Sequence, residues 1–335
     1  RHGESQHQAR RFTFDQRLRR GEISTNREAA DQHFALRQIE DVNGDPPLSG
    51  NGQEQARLFG EFWAPILQHK ARAGKLHIYV SPHIRNLETA DPLMRLLRDD
   101  FAVDIHGTLL LDLFEVYGIV IHPADHPRLM ARMAELGRLT PDGLIPRHVF
   151  SENPEALPED FTWTRGGLSA AQMRMLFPWI SIPAGTLGNL SDDDPWWPGT
   201  PETPGNRDER IARMVDWLES EAATRAEDEV LLLFTHGEQT GRMLNVLFAR
   251  AFGSSKLTGS SGAVPNRRDA GGRGWVGLDP GSNTSTSLLT LLQGGIPRLE
   301  FCHRLDHLGS STVPDTLMRG YQSLGLANGR GELED

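Results

Sequence analysis

Two short apolar runs, each followed at once by polar residues and then by a helical pattern, constrain this chain more than any other feature. Leu76-His77-Ile78-Tyr79-Val80 leads into Ser81-Pro82-His83-Ile84-Arg85, and Val230-Leu231-Leu232-Leu233-Phe234 leads into Thr235-His236-Gly237. Runs of this length and character read as strands buried on both faces, as in parallel sheets. Helical patterns fill the spaces between. Residues 52–73 carry Ala56, Leu58, Phe59, Phe62, Trp63, Ile66 and Leu67 on one apolar face, and Pro65 is expected to kink or divide that helix. Residues 85–98 read as a helix interrupted near Pro92, 206–226 as one with Ile211, Met214, Val215 and Leu218 inward, and 239–252 as another. Residues 101–105 read as a further strand. The last two strands are expected at 287–292 and 298–302, turning at Gly294-Gly295. This alternation predicts a three-layer α/β/α sandwich around a mostly parallel sheet, with ligands beyond the carboxyl ends of the strands.

Chemistry-bearing residues collect at those ends. The chain opens Arg1-His2-Gly3-Glu4, and with Arg85 and His236 this supplies two histidines and two arginines. A phosphoryl group spreads negative charge over three oxygens, so its transfer needs positioning and charge stabilisation. Guanidinium forks suit those oxygens. A neutral imidazole is a good nucleophile toward phosphorus. A small residue after each histidine lets backbone approach the phosphate. A carboxylic acid must protonate the leaving oxygen. A lone histidine is more often a surface or satisfied core residue; the shared setting of His2 and His236 is what singles them out.

The motifs run in order along the chain. Arg1-His2-Gly3-Glu4-Ser5 resembles the R-H-G-E-[ST] signature of the histidine phosphatase superfamily, in its phosphoglycerate-mutase-like branch. Pro47-Leu48-Ser49 with Gly52 and Gln55-Ala56 is similar to that family's P-L-[ST]-x-x-G-x-x-Q-A element. Ser81-Pro82 through Arg85 to Thr89-Ala90 resembles S-P-x-x-R-x-x-[EQ]-T-A, and Thr235-His236-Gly237 the late [ST]-H-G. Asn283 with Ser285, and Asp306-His307-Leu308, are similar to the closing segments.

The resemblance implies roles. His2 would attack phosphorus and become phosphohistidine. Arg1, Arg85 and His236 would surround the phosphoryl oxygens, and Gly237 would lend its N–H. The acid would be Glu115 in Leu113-Phe114-Glu115-Val116-Tyr117-Gly118, which stands three residues before a glycine where the family usually has four; Asp112 is the fallback and Glu4 a weaker one. Ser5, Gln8, Glu238 and Asn283 are candidate pocket residues. Gln8 stands where many relatives carry asparagine. The family's nucleophile follows a central strand, so roughly five or more residues are expected upstream of Arg1, about one strand length.

The same comparison divides the chain. Residues 1–118 and 206–312 would form the core, 119–205 an inserted cap that sets substrate choice, 254–282 a mobile loop and 313–335 a C-terminal extension. In the cap, Trp163 and Pro195-Trp196-Trp197-Pro198 read either as a small core beneath long loops or as a wall for an apolar part of the substrate. Arg267, Arg268 and Arg273 could reach an anionic substrate from the 254–282 loop. Asn189-Leu190-Ser191 and Asn283-Thr284-Ser285 match the glycosylation tripeptide, which arises often by chance.

Composition narrows the function classes. The net charge of −10 argues against a general nucleic-acid binder, so an anionic substrate would be drawn by a local basic pocket. No apolar run approaches the ~20 residues a bilayer requires, so no membrane partner is expected and the expected location is cytoplasmic. The single cysteine, Cys302, excludes an internal disulfide and sits in a strand-like run. Zinc spacing is absent. His122, Asp125 and His126 form the one sequence-local cluster that suggests a metal, and Pro123 and Pro127 break its helical spacing. No metal and no cofactor are expected.

Three readings follow. The first is a metal-independent phosphomonoesterase acting through phosphohistidine on a small or medium-sized organic phosphate. The second is a phosphoglycerate-type mutase, disfavoured because Gln6-His7-Gln8 and Phe12-Thr13-Phe14-Asp15 replace the segments mutases usually carry. The third is a non-catalytic phospho-ligand binder, disfavoured by the retention of Arg1, His2, Arg85 and His236.

Overall fold

Helix α1 (Gly50–Arg72) starts at Ser49, whose hydroxyl accepts from Gly52 N at 3.1 Å and caps an otherwise unpaired donor. Strand β1 (Leu76–Val80) follows, then helix α2 (Ile84–Arg95), which ends in a wider turn at residues 96–100. Next come β2 (Gly107–Leu109), β3 (Gly166–Ser169), α3 (Ala170–Leu176), β4 (Ile180–Ser181) and β5 (Pro195–Trp197). Helix α4 (Pro204–Thr224) leads to β6 (Val230–Phe234) and α5 (Gly237–Ala251), and β7 (Thr286–Thr290) and β8 (Arg298–Arg304) close the order. The computed structural model describes residues 2–6, 8–9, 20, 22, 45–116, 118–119, 131, 133–137, 165–199, 202–251, 286–291 and 297–308.

The central sheet has the order β4-β2-β1-β6, with every pairing parallel. Side chains alternate across it, as strand geometry requires. Ile78, Val80 and Phe234 join Phe59, Leu67, Leu87 and Leu93 of α1 and α2 in one core. Tyr79 and Leu233 point the other way, onto a second core of Ile211, Met214, Val215 and Leu218 from α4 with Met243 and Leu247 from α5. Helices therefore cover both faces, and the expected α/β sandwich with a parallel centre is observed. Trp179, Trp196 and Trp197 belong to the first core, and β4 extends the main sheet. Among the described residues, no helix is long and apolar enough to cross a membrane.

Several local expectations differ from what is found. Pro65 does not divide α1; it lies on the exposed face, where water can take the carbonyl it leaves unmatched. Phe62 and Ile66 fall outside the buried stripe and are 36% and 53% exposed. Helix α2 runs through Pro92, where Gly60 of α1 packs so closely that an added Cβ would lie 2.9 Å from Leu93 N. Residues 101–105 are not a strand. Ala102 takes a left-handed conformation (φ 50°), which β pairing does not tolerate, and the sheet is joined later, at Gly107. Strands β7 and β8 pair antiparallel with each other in a separate two-stranded sheet, and Cys302 lies in β8. Their turn, the 254–282 and 313–335 segments, Trp163, and the His122, Asp125 and His126 cluster lie outside the described residues.

Candidate active site

The sheet delivers the site. Strands β1 and β6 run in register from Leu76↔Val230 to Val80↔Phe234, so Ser81 and Thr235 leave the sheet side by side. Thr235 O then accepts from His2 N at 3.2 Å and from Asn86 Nδ2 at 3.0 Å. Gly3 N donates to Thr89 Oγ1 at 2.9 Å, and Glu4 N to Gln55 Oε1 at 2.9 Å. Residues 2–4 are thus held between the end of β6, α2 and the start of α1. The fit is tight: a Cβ on Gly3 would meet Gly52 O at 2.7 Å, and one on Gly52 would meet Glu4 O at 2.0 Å.

Four of the expected catalytic side chains converge there. His2 Nδ1–H donates to Gly3 O at 2.6 Å, which leaves Nε2 with its lone pair. Arg85 Nε lies 3.3 Å from that Nε2, and its terminal NH2 lies 3.2 Å from His236 Nδ1. The two imidazole rings stand 5.1 Å apart. With Nδ1 accepting from Arg85, His236 carries its proton on Nε2 and donates to Ser81 Oγ at 2.9 Å. Burial, and then the Arg85 charge, push the His236 imidazole well below its ordinary range, so it is neutral in this arrangement. Glu115 Oε2 is 3.7 Å from His236 Nδ1, and its side chain keeps 26% exposure at the rim.

Asp45 holds the arginine. Its carboxylate is fully buried and accepts from Arg85 NH1 at 3.1 Å, from Ile84 N at 2.8 Å and from His83 Nδ1 at 2.9 Å. His83 Nδ1 is also 3.0 Å from Arg85 NH1, but one nitrogen cannot donate and accept together. The buried carboxylate decides for donation, so the arginine contact is proximity. Burial first, then Arg85, push His83 down to about 4, so it too is neutral. Its ring stacks edge-on with Trp196 at 5.0 Å and with His236 at 4.7 Å.

The other expected residues among those described make contacts of their own. Ser5 and Gln8 pair with each other, Ser5 N to Gln8 Oε1 at 2.9 Å and Gln8 N to Ser5 Oγ at 3.3 Å, and so cap a short helical turn. Glu238 is exposed and pairs with Arg242 at 2.8 Å. Gly237 begins α5 beside His236. Asp112 faces Arg213 at 3.4 Å. Glu4 is buried, and its Oε1 accepts from Ser49 Oγ at 2.8 Å. Arg1 and Asn283 lie outside the described residues. Sequence reading missed Asp45, which precedes Pro46-Pro47 and carries no local signal, and His83, which stands inside the quoted Ser81–Arg85 motif.

The site also holds a set of groups that spacing in the sequence did not suggest. His2, Glu115 and His236 each offer one potential metal ligand atom, all within 4.8 Å of one another. The Arg85 guanidinium lies between the two imidazoles, however, and its fixed positive charge opposes a cation and favours an anion.

No protein-family model matches the chain, and no curated protein matches it. Among solved structures, one similar chain is in the crystal structure of the ecdysone phosphate phosphatase, EPPase, from Bombix mori in complex with tungstate. The two share 16% identity over 64% of this chain and 62% of that one, with a TM-score of 0.27. The likeness thus spans less than two thirds of that phosphatase.

Proposed function

We propose that the protein is a phosphomonoesterase of the histidine phosphatase type, acting without metal through a phosphohistidine at His2. The reading is carried by one observation: the Arg85 guanidinium lies within hydrogen-bond reach of both His2 Nε2 and His236 Nδ1, and all three side chains are buried. An incoming phosphoryl group would take over those hydrogen bonds. The lone pair of His2 Nε2 forms the N–P bond as the ester P–O bond breaks, and protonated Glu115 gives its proton to the departing alkoxide. In the second step the Glu115 carboxylate takes a proton from water, whose oxygen attacks phosphorus. The N–P bond breaks, inorganic phosphate leaves, and His2 regains its lone pair. Arg85 donates to the phosphoryl oxygens throughout, and His236 joins it in the tautomer that carries the proton on Nδ1, with Ser81 Oγ–H then donating to Nε2. Residues 1–118 and 206–312 are assigned to the catalytic core and 119–205 to substrate choice, although β4 and the buried Trp196 of that segment are built into the main sheet and core.

The test is turnover of an aryl phosphate in the presence of a chelator, with acid-labile phosphoenzyme trapped by rapid quench. Turnover with chelator, and loss of the trapped phosphate in His2→Ala, are expected. Turnover that appears only with an added divalent metal would instead favour the His2, Glu115 and His236 cation site. A His2→Ala protein that still traps phosphate would move the nucleophile.

A further inference from the structure

Arg210, on α4, is 1% exposed. A guanidinium keeps its charge when buried, so it needs a carboxylate and filled N–H groups. Both are present. Nε donates to Glu202 Oε1 at 2.6 Å and NH2 to Glu202 Oε2 at 2.7 Å, a bidentate pair in which both residues are buried. NH1 lies 2.7 Å from Gln239 Oε1, 2.8 Å from Asp112 O and 3.1 Å from Phe114 O, so its two hydrogens serve three acceptors. The guanidinium carbon stacks 3.7 Å above the Phe114 ring. Gln239, also fully buried, returns Nε2–H to Asp112 O at 3.1 Å.

These bonds share one target. The carbonyls of residues 112 and 114 belong to the short turn that ends directly before Glu115, and Gln239 lies three residues beyond His236 on the first turn of α5. Hydrophobic packing alone would not require the arrangement, since well-packed apolar residues often replace a buried ion pair without loss of stability. We propose that Arg210, charge-balanced by Glu202, is a positioning residue for proton transfer: its fork locks the 112–114 turn to the His236 helix, so the Glu115 carboxylate meets the leaving oxygen. The proposal rests on the reading of Glu115 as the acid.

The experiment compares kcat/KM for p-nitrophenyl phosphate, whose leaving group needs little protonation, with that for glycerol 2-phosphate, whose alkoxide needs a full proton. Parent protein, Arg210→Lys, Gln239→Met, Glu115→Gln and the Arg210→Lys/Glu115→Gln double variant are measured, with inorganic phosphate binding as a check on the anion hole. Arg210→Lys should lower kcat/KM about tenfold or more further on the alkyl ester than on the aryl ester, the scale of a small misplacement. It should leave phosphate binding intact and add little to the loss already present in Glu115→Gln. If Arg210→Lys does not fold, Gln239→Met carries the same comparison. Equal losses on both esters, or additive losses in the double variant, overturn the proposal and leave the phosphatase reading standing. A parent protein that turns over neither ester sinks both.

Discussion

The carboxylate of Asp45 lies 3.1 Å from Arg85 NH1, across 40 residues of sequence and with no solvent exposure of its own. This pair fixes the guanidinium between the imidazoles of His2 and His236, the second of which burial keeps neutral. Breaking a buried pair from one side leaves an uncompensated charge, which costs about 3–5 kcal/mol. Asp45→Asn should therefore unfold at lower urea concentration and bind inorganic phosphate more weakly. A variant with parent-like stability and affinity would show that Arg85 is held by other contacts.

Acid should destabilise the protein partly through His83. Its folded pKa of about 4 lies below the ordinary 6.5. Between those values the unfolded chain binds a proton that the native state does not, so this stability is complete above pH 6.5 and lost as pH falls toward 4. The loss comes to roughly 3 kcal/mol. His236 acts in the same direction. Glu88 opposes them: burial raises it to about 7, so its contribution declines as pH rises from 4.5 to 7. His83→Asn keeps a donor for Asp45 and removes the titration. Its urea-denaturation free energy, subtracted from that of the parent across pH 4–6.5, should slope in the sense given. A flat difference would contradict the neutral assignment.

Glu115→Gln should lower turnover of an alkyl phosphate by about 10²–10⁴-fold, the usual worth of a general acid, with little change in phosphate binding. Asp112 faces Arg213 instead of the histidines, so Asp112→Asn should turn over near the parent rate. Comparable losses in the two variants would move the acid to residue 112.

Gly52→Ala would drive a methyl group to within 2.0 Å of Glu4 O, a backbone atom that cannot swing aside. Overpacking of this kind costs about 1–3 kcal/mol. Because Glu4 is two residues from His2, phosphate affinity should fall along with stability. Unchanged values in calorimetry would mean the opening segment yields freely.

Much of this site was legible because its parts sit where a parallel sheet must present them. His236 and Arg85 follow apolar runs that became β6 and β1, and Glu115 follows a short apolar turn. Asp45 was not legible, since only tertiary burial distinguishes it from a solvated carboxylate ahead of two prolines. Arg210 escaped for a related reason. The apolar face of α4 was clear from Ile211, Met214, Val215 and Leu218, but a basic residue beside that face reads as surface until Glu202 is seen to cover it. The strand expected at 101–105 failed on one dihedral, because Ala102 follows a turn whose handedness apolar periodicity does not encode.

The alignment of β1 with β6, Val80 opposite Phe234, works as a ruler. One residue inserted within β6 would carry His236 about 3.3 Å along the strand and turn alternate side chains to the opposite layer. An insertion after Ala251 leaves that spacing untouched. Chain length in this protein is therefore constrained stretch by stretch, and the five residues of β6 have almost no freedom to change in number.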